Sequence, residues 1–164
     1  MADAQNGAVV NFTLAKPLVA NPQIVVSVPH SGTRTLVEHL GLRADEQGLR
    51  GGKWWHFGSH YNLLVENHYY AHIPIRNPYD VARSWCQRNT KLAKLLECYA
   101  HLFLFLDATP RYTLHRMEDL PRLRGTQEHI GAPIDSPQIR EFQAQVARWV
   151  VAPRREFWRQ FYHV

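Results

Sequence analysis

Only two cysteines, Cys86 and Cys98, occur in the 164 residues. That is too few for the disulfide framework of a small secreted scaffold. They stand in a stretch that reads as helical, where twelve residues at 1.5 Å each put about 18 Å between them, beyond a disulfide's reach within one helix. Reduced thiols and a cytoplasmic setting are expected. Long apolar runs are also missing. The densest, "HLFLFL" at 101–106, falls far short of the roughly 20 residues of a membrane span. The opening "MADAQNGAVV" lacks the basic stretch and apolar core of a secretory leader, so none is expected. There is no repeat, low-complexity tract or linker-like segment. The expectation is one domain over 1–164, with 1–20 as a loosely ordered lead-in.

What is present suits a globular chain: 45% hydrophobic residues and 20% charged. A net charge of +5 and ten histidines favour anionic partners, from nucleotides and nucleic acid to sulfated or phosphorylated substrates. Charge alone does not choose, because a mildly basic surface also aids solubility. "QIVVSV", 23–28, is continuous and β-branched, and reads as a buried strand. "TRTLVEHLG" reads as a helix, with Leu36, Val37 and Leu40 on one side and Gly41 as its stop. The Gly- and charge-rich run 42–58 reads as a loop. "YNLLVEN" then predicts a short helix and "YYAHIPI" a second strand. "RNPYDVARSWCQR" predicts a helix opened by Pro78, continuing after a break near Asn89 through "TKLAKLLECYAHLFLF". "RYTLHRM" is a third strand. The segment 136–164 reads as two amphipathic helices interrupted at Pro153. Repeated strand–loop–helix units predict an α/β fold: a three-layer arrangement around a central, mainly parallel sheet.

The join at "PHSGTRT" carries the first chemistry. A helix N-terminus after a strand offers unpaired N–H groups and the positive end of the helix dipole to an anion. Gly32 lets the backbone approach closely. Ser31, Thr33 and Thr35 bring hydroxyls, and His30 and Arg34 bring positive charge. No G-x-x-x-x-G-K-[ST] string occurs, so an ordinary ATP or GTP hydrolase is not expected. The loop resembles the 5′-phosphosulfate loop of sulfotransferases, and "HSGTRTLVEHL" is especially similar to that of heparan-type members. A second segment, "PIRNPYDVARSW", resembles the family's 3′-phosphate segment. There a strand ends in Arg-Asn/Asp-Pro and a serine follows eight residues later, the spacing of Arg76 and Ser84. An arginine fork at a strand end and a hydroxyl about two helical turns on can both reach one phosphate. The competing structural reading pairs Arg76 with Asp80 and leaves "NP" as a helix start. A third stretch, "YTLHRMEDL", resembles the family's strand ending in Tyr-Glu-Asp-Leu, with Met117 in place of the tyrosine. Glu118 and Asp119 are expected to cap or fix a helix there.

The resemblance spans roughly 23–123. It implies a minimal P-loop NTPase-like, sulfotransferase-like fold that uses 3′-phosphoadenosine 5′-phosphosulfate (PAPS) as donor. The reaction implied is in-line transfer of a sulfonate to a hydroxyl or amine. His30, Ser31, Gly32, Thr33, Arg34 and Thr35 would hold the 5′-phosphosulfate, and Arg76 and Ser84 the 3′-phosphate. A base is needed for the acceptor's proton, and "KWWHFGSHYN" lies where the family places one. Trp54 stands at the heparan-type glutamate position, which shifts the role to His56, with His60 second. Trp54 and Trp55 line an acceptor pocket or pack on the sheet. His30 replaces the loop's usual lysine or arginine and takes its catalytic place with less charge, Arg34 or Lys53 being possible compensation. Leu36 stands where some members stack adenine on tryptophan, and no Arg-Lys-Gly segment follows the third strand. No metal is implied, since "HFGSH" has no carboxylate or cysteine beside it. A nucleic-acid or membrane partner is not implied, and acceptor and oligomeric state stay open. The alternatives are a binding or structural protein that keeps the fold without the chemistry, and a phosphotransferase on the same sheet.

Overall fold

The computed structural model describes residues 13–14, 22–42, 49–50, 55–88, 91–120 and 136–164. Among them the strands are β1 (Thr13–Leu14), β2 (Gln23–Ser27), β3 (Leu49–Arg50), β4 (Trp55–His56), β5 (Tyr70–Ile75) and β6 (Tyr112–Arg116). The helices are α1 (Thr33–Leu40), α2 (Tyr61–Glu66), α3 (Pro78–Arg88), α4 (Leu92–Ala108), α5 (Pro137–Val146) and α6 (Arg155–Arg159). The main sheet has the order β4-β2-β5-β6, and every neighbouring pair in it is parallel. β1 and β3 form a separate antiparallel pair. The chain is an α/β protein built on a parallel sheet.

Alternation along the strands sorts the two faces. Ile24 and Val26 of β2 join Ala71, Ile73 and Ile75 of β5 in one core cluster. Val81, Ala82 and Trp85 of α3, Leu95, Tyr99, Leu102, Phe103 and Phe105 of α4, and the later Val146, Val150 and Trp158 belong to it as well. Fully burying a Val, Leu, Ile or Phe side chain of this set stabilises the fold by about 1.5–3 kcal/mol. Val25 and Leu36 are as completely buried yet lie outside that cluster. The Ser27 hydroxyl, one strand position pair on from Val25, meets the Thr33 hydroxyl of α1 at 2.5 Å. α1 therefore covers the second face, and helices flank the sheet on both sides.

Strand order then locates a crevice. From β2 the chain crosses by α1 to β4 on one side, while from β5 it crosses by α3 and α4 to β6 on the other. Right-handed crossovers in opposite directions put their helices on opposite faces. The loops after β2 and β5 thus diverge at the carboxyl ends of adjacent strands, the point where open α/β sheets bind ligands.

Several boundaries differ from those read in the sequence. The run 42–58, expected as loop, contributes β3 and β4; two residues are too few to show a strand period, and β4 exists because it pairs with the edge of β2. Cys86 and Cys98 lie on different helices, α3 and α4, so the separation along one helix does not apply; both thiols are free. Pro153 does lie between two α-helices, α5 and α6, as expected, but the interruption is longer than one residue. The path widens into π-type turns at Ala147–Val151 and tightens into a 3-10 turn at Ala152–Arg154 before α6. Those turns absorb the missing N–H and ring bulk of the proline. The lead-in 1–20, apart from β1, lies outside the described residues, as do Lys53 and Trp54. No helix among the described residues is long and apolar enough to cross a membrane.

Candidate functional site

β2 runs out at Ser27, and a tight turn over Val28–Gly32 leads into α1. The Ser31 hydroxyl donates to the Val28 carbonyl and closes the turn on itself. His30 and Gly32 both have left-handed backbone, with φ of 66° and 101°. For His30 this costs about 1 kcal/mol or more, strain of a kind that concentrates at functional turns. Alternating left-handed residues also form backbone concavities that take anions. Gly32 is the N-cap of α1 and has no side chain with which to cap it. The first-turn N–H groups have no helical acceptor, and no acidic residue stands in that turn. The carbonyl of Gly32 starts the helix ladder by accepting from Leu36 N at 3.0 Å.

β5 ends beside this turn, and Asn77 and Pro78 start α3. The Asn77 side chain accepts from Tyr79 N at 3.0 Å, and its carbonyl from Val81 N at 3.1 Å. Arg76 does not pair with Asp80, whose partner is Arg83 at 3.5 Å. Instead Arg76 Nη1 donates to the His30 carbonyl at 3.2 Å. Eight residues on, Ser84 Oγ lies 3.1 Å from His30 Nδ1. The His30 ring also meets Trp85 edge-on, with centroids 5.4 Å apart. His30, Arg76 and Ser84, read from two separate motifs, form one cluster at the crevice. Met117, just past β6, closes the other flank: a Cβ added to Gly32 would stand 2.9 Å from its Cγ and Sδ.

A second hydrogen-bonded line leads from the same turn to the sheet edge. Thr33 Oγ1 meets Ser27 Oγ, and Ser27 Oγ lies 3.2 Å from His56 Nδ1 on β4. Burial pulls the His56 pKa down to about 4, partly offset by its hydrogen bonding to Ser27. At neutral pH His56 is an uncharged imidazole. His60 stands elsewhere, at the junction of α2 and α4, its ring against Gly58. Burial, then the neighbouring charge of His101, lowers its pKa. Arg34 is turned to solvent, its side chain 75% exposed and paired with Glu38 at 3.4 Å. Thr35 is half-buried in the first turn of α1. Glu118 and Asp119 cap no long helix. They sit in a 3-10 turn, Glu118 accepting from Tyr162 at 2.8 Å and Asp119 pairing with Arg116 at 3.3 Å.

Sequence reasoning did not single out Ser27, Trp85 or Tyr162. Ser27 had a signal, as the one hydroxyl in a β-branched strand; Tyr162 had none. Among the described residues, no group of three or more His, Cys, Asp or Glu side chains could hold a metal ion. Chemically, the arrangement offers a backbone cradle and one guanidinium to an anion, with a neutral imidazole linked to the cradle by two hydroxyls.

Compared with known proteins, the chain matches no family model, no curated sequence and no solved structure.

Proposed function

We propose that this chain is a sulfotransferase that takes PAPS as donor and transfers its sulfonate to a hydroxyl or amine. The observation that carries the reading is the convergence of Arg76 and Ser84 on His30, at the switch point between β2 and β5. Adjacency of β2 and β5 brings the two loops together, and the side chains of Arg76 and Ser84, which resemble the donor-binding pair of one family, both turn to the same loop residue.

The donor supplies the sulfonate and a bisphosphate leaving group. The first-turn N–H groups of α1, with Thr33 and Thr35, bind and orient the 5′ end, while the Ser31 hydroxyl, donating to the Val28 carbonyl, holds the turn in shape. Arg76 and Ser84 take the 3′-phosphate, leaving their His30 contacts for charge-assisted ones. In the transfer, an acceptor oxygen or nitrogen forms a bond to sulfur while the sulfur–oxygen bond to phosphate breaks. The acceptor's proton passes to the neutral His56, which Ser27 and Thr33 link to the cradle. His30, whose carbonyl accepts from Arg76, presents its imidazole beside the departing phosphate. Arg34, facing solvent, takes no part, and His60 at the α2–α4 junction is the second choice of base.

One observation favours a second reading, an anion-binding protein without transfer. An imidazole whose pKa burial pulls to about 4 is a weak base at neutral pH, and the loop holds histidine where lysine would carry full charge. Calorimetric titration with adenosine 3′,5′-bisphosphate, with ADP as control, tests the donor site on wild type and Arg76→Ala. Micromolar binding that needs both the 3′-phosphate and Arg76 is expected, with Arg76→Ala weakening it by about tenfold or more. Equal binding of ADP would favour a phosphotransferase, and no binding would overturn the donor site. Binding with no sulfonate released to any acceptor would leave the second reading.

A further inference from the structure

Contacts from the segment after α6 reach the carboxyl ends of β5 and β6. The Tyr162 hydroxyl lies 2.8 Å from Glu118 Oε2 and 3.2 Å from the carbonyl oxygen of Ile75. Arg116, the last residue of β6, donates from Nη1 to the Phe161 carbonyl at 3.1 Å. Its guanidinium stands 5.8 Å from the centre of the Tyr162 ring. Ile75 directly precedes Arg76 and is the register partner of Arg116. The bonds therefore fall at the point where β5 hands over to the arginine. A phenol has one proton and cannot donate fully to two oxygens. The shorter, charge-assisted bond to Glu118 holds it, and the Ile75 carbonyl shares it at longer range. Behind this point Tyr99 is buried within electrostatic range of both Arg76 and Tyr162, and packs edge-on against Trp158 at 5.9 Å.

We propose that Tyr162 is a positioning residue for Arg76: its hydroxyl, held by Glu118 and set against the Ile75 carbonyl, fixes the backbone from which the guanidinium reaches into the crevice. The proposal rests on the reading that Arg76 holds a 3′-phosphate. An arginine fork discriminates between anions only when its base and its angle of approach are set in advance. On the loop side the His30 carbonyl orients the guanidinium; on the opposite side Tyr162 secures the strand end. A long, flexible side chain between two such anchors samples fewer poses, so more of its contact with phosphate is realised as selectivity.

The test compares wild type with Tyr162→Phe, which keeps the ring and removes only the hydroxyl. Each is titrated calorimetrically with adenosine 3′,5′-bisphosphate and with adenosine 5′-phosphate, below its melting temperature. The ratio of the two dissociation constants is the readout, because a merely structural loss weakens both ligands alike. Wild type should prefer the bisphosphate, and Tyr162→Phe should lose about five- to tenfold of that preference while its affinity for the 5′-phosphate holds. A preference unchanged in Tyr162→Phe overturns the positioning role and leaves the donor site standing. No preference in wild type overturns the donor site and this role with it. Should Tyr162→Phe fail to fold, Glu118→Ala removes the acceptor that holds the phenolic proton. The same selective loss is then expected, and an unchanged ratio overturns the proposal.

Discussion

Gly32→Ala isolates the conformation of the turn at the head of α1. At φ 101° and ψ 27° the residue sits where a side chain is unfavourable, at a cost of about 1–2 kcal/mol. The new Cβ would also lie 2.9 Å from Cγ and Sδ of Met117, so that side chain must move. Met117 is flexible and only half-buried, and shifting it off its rotamer costs about 0.5–1.5 kcal/mol. Together these predict a loss of about 1.5–3.5 kcal/mol. Urea unfolding measures it as a lower midpoint at unchanged slope. The two contributions separate in the double variant with Met117→Ala. That change makes room for the Cβ but leaves the backbone strained, so the cycle should return only the smaller share. A Gly32→Ala protein within about 0.5 kcal/mol of wild type would refute the left-handed turn. Complete rescue by Met117→Ala would show that the cost is contact alone and that φ at this position is not positive.

Acid sensitivity should trace in part to His56. Its folded pKa of about 4 lies below the ordinary 6.5, so the unfolded chain binds this proton more readily. The contribution is whole above pH 6.5 and is lost as pH falls towards 4, by on the order of 3 kcal/mol. Denaturant unfolding at stepped pH should show a shallower acid loss in His56→Gln, and parallel curves would refute the assignment. In the aromatic core, Trp158→Ala should cost about 3–5 kcal/mol, and Trp158→Phe much less. The latter loses chiefly volume and the indole donation to the Val150 carbonyl at 3.1 Å. A Trp158→Ala protein that unfolds at the wild-type midpoint would mean the indole is not buried against Val150.

Legibility followed the range of the causes. β2, β5 and β6 were each readable within a residue or two at either end, because β-branched and aromatic runs bounded by Pro or polar residues carry their own signal. β4 was not, since two residues show no period. The bond of Arg76 to the loop was not readable either. Its spacing to Asp80 is equally that of a local ion pair, and only the approach of the His30 carbonyl decides between them. Arg34 illustrates the reverse. Two positions before the buried Leu36, it falls about 200° around the helix, so periodicity alone puts it away from the sheet. Motif matching had counted it into the loop.

By itself the sequence determined what short-range sterics can determine. Gly32 and Gly41 bracket a helix because both adopt left-handed φ, and Pro78 opens another because a first-turn residue needs no N–H. Tertiary structure decided what requires distant parts to meet. His30 contacts Ser84 across 54 positions, and Tyr162 reaches Ile75 across 87. His56 loses its proton affinity only because strand pairing buries it. Packing sets such distances and desolvation, and no local pattern encodes them.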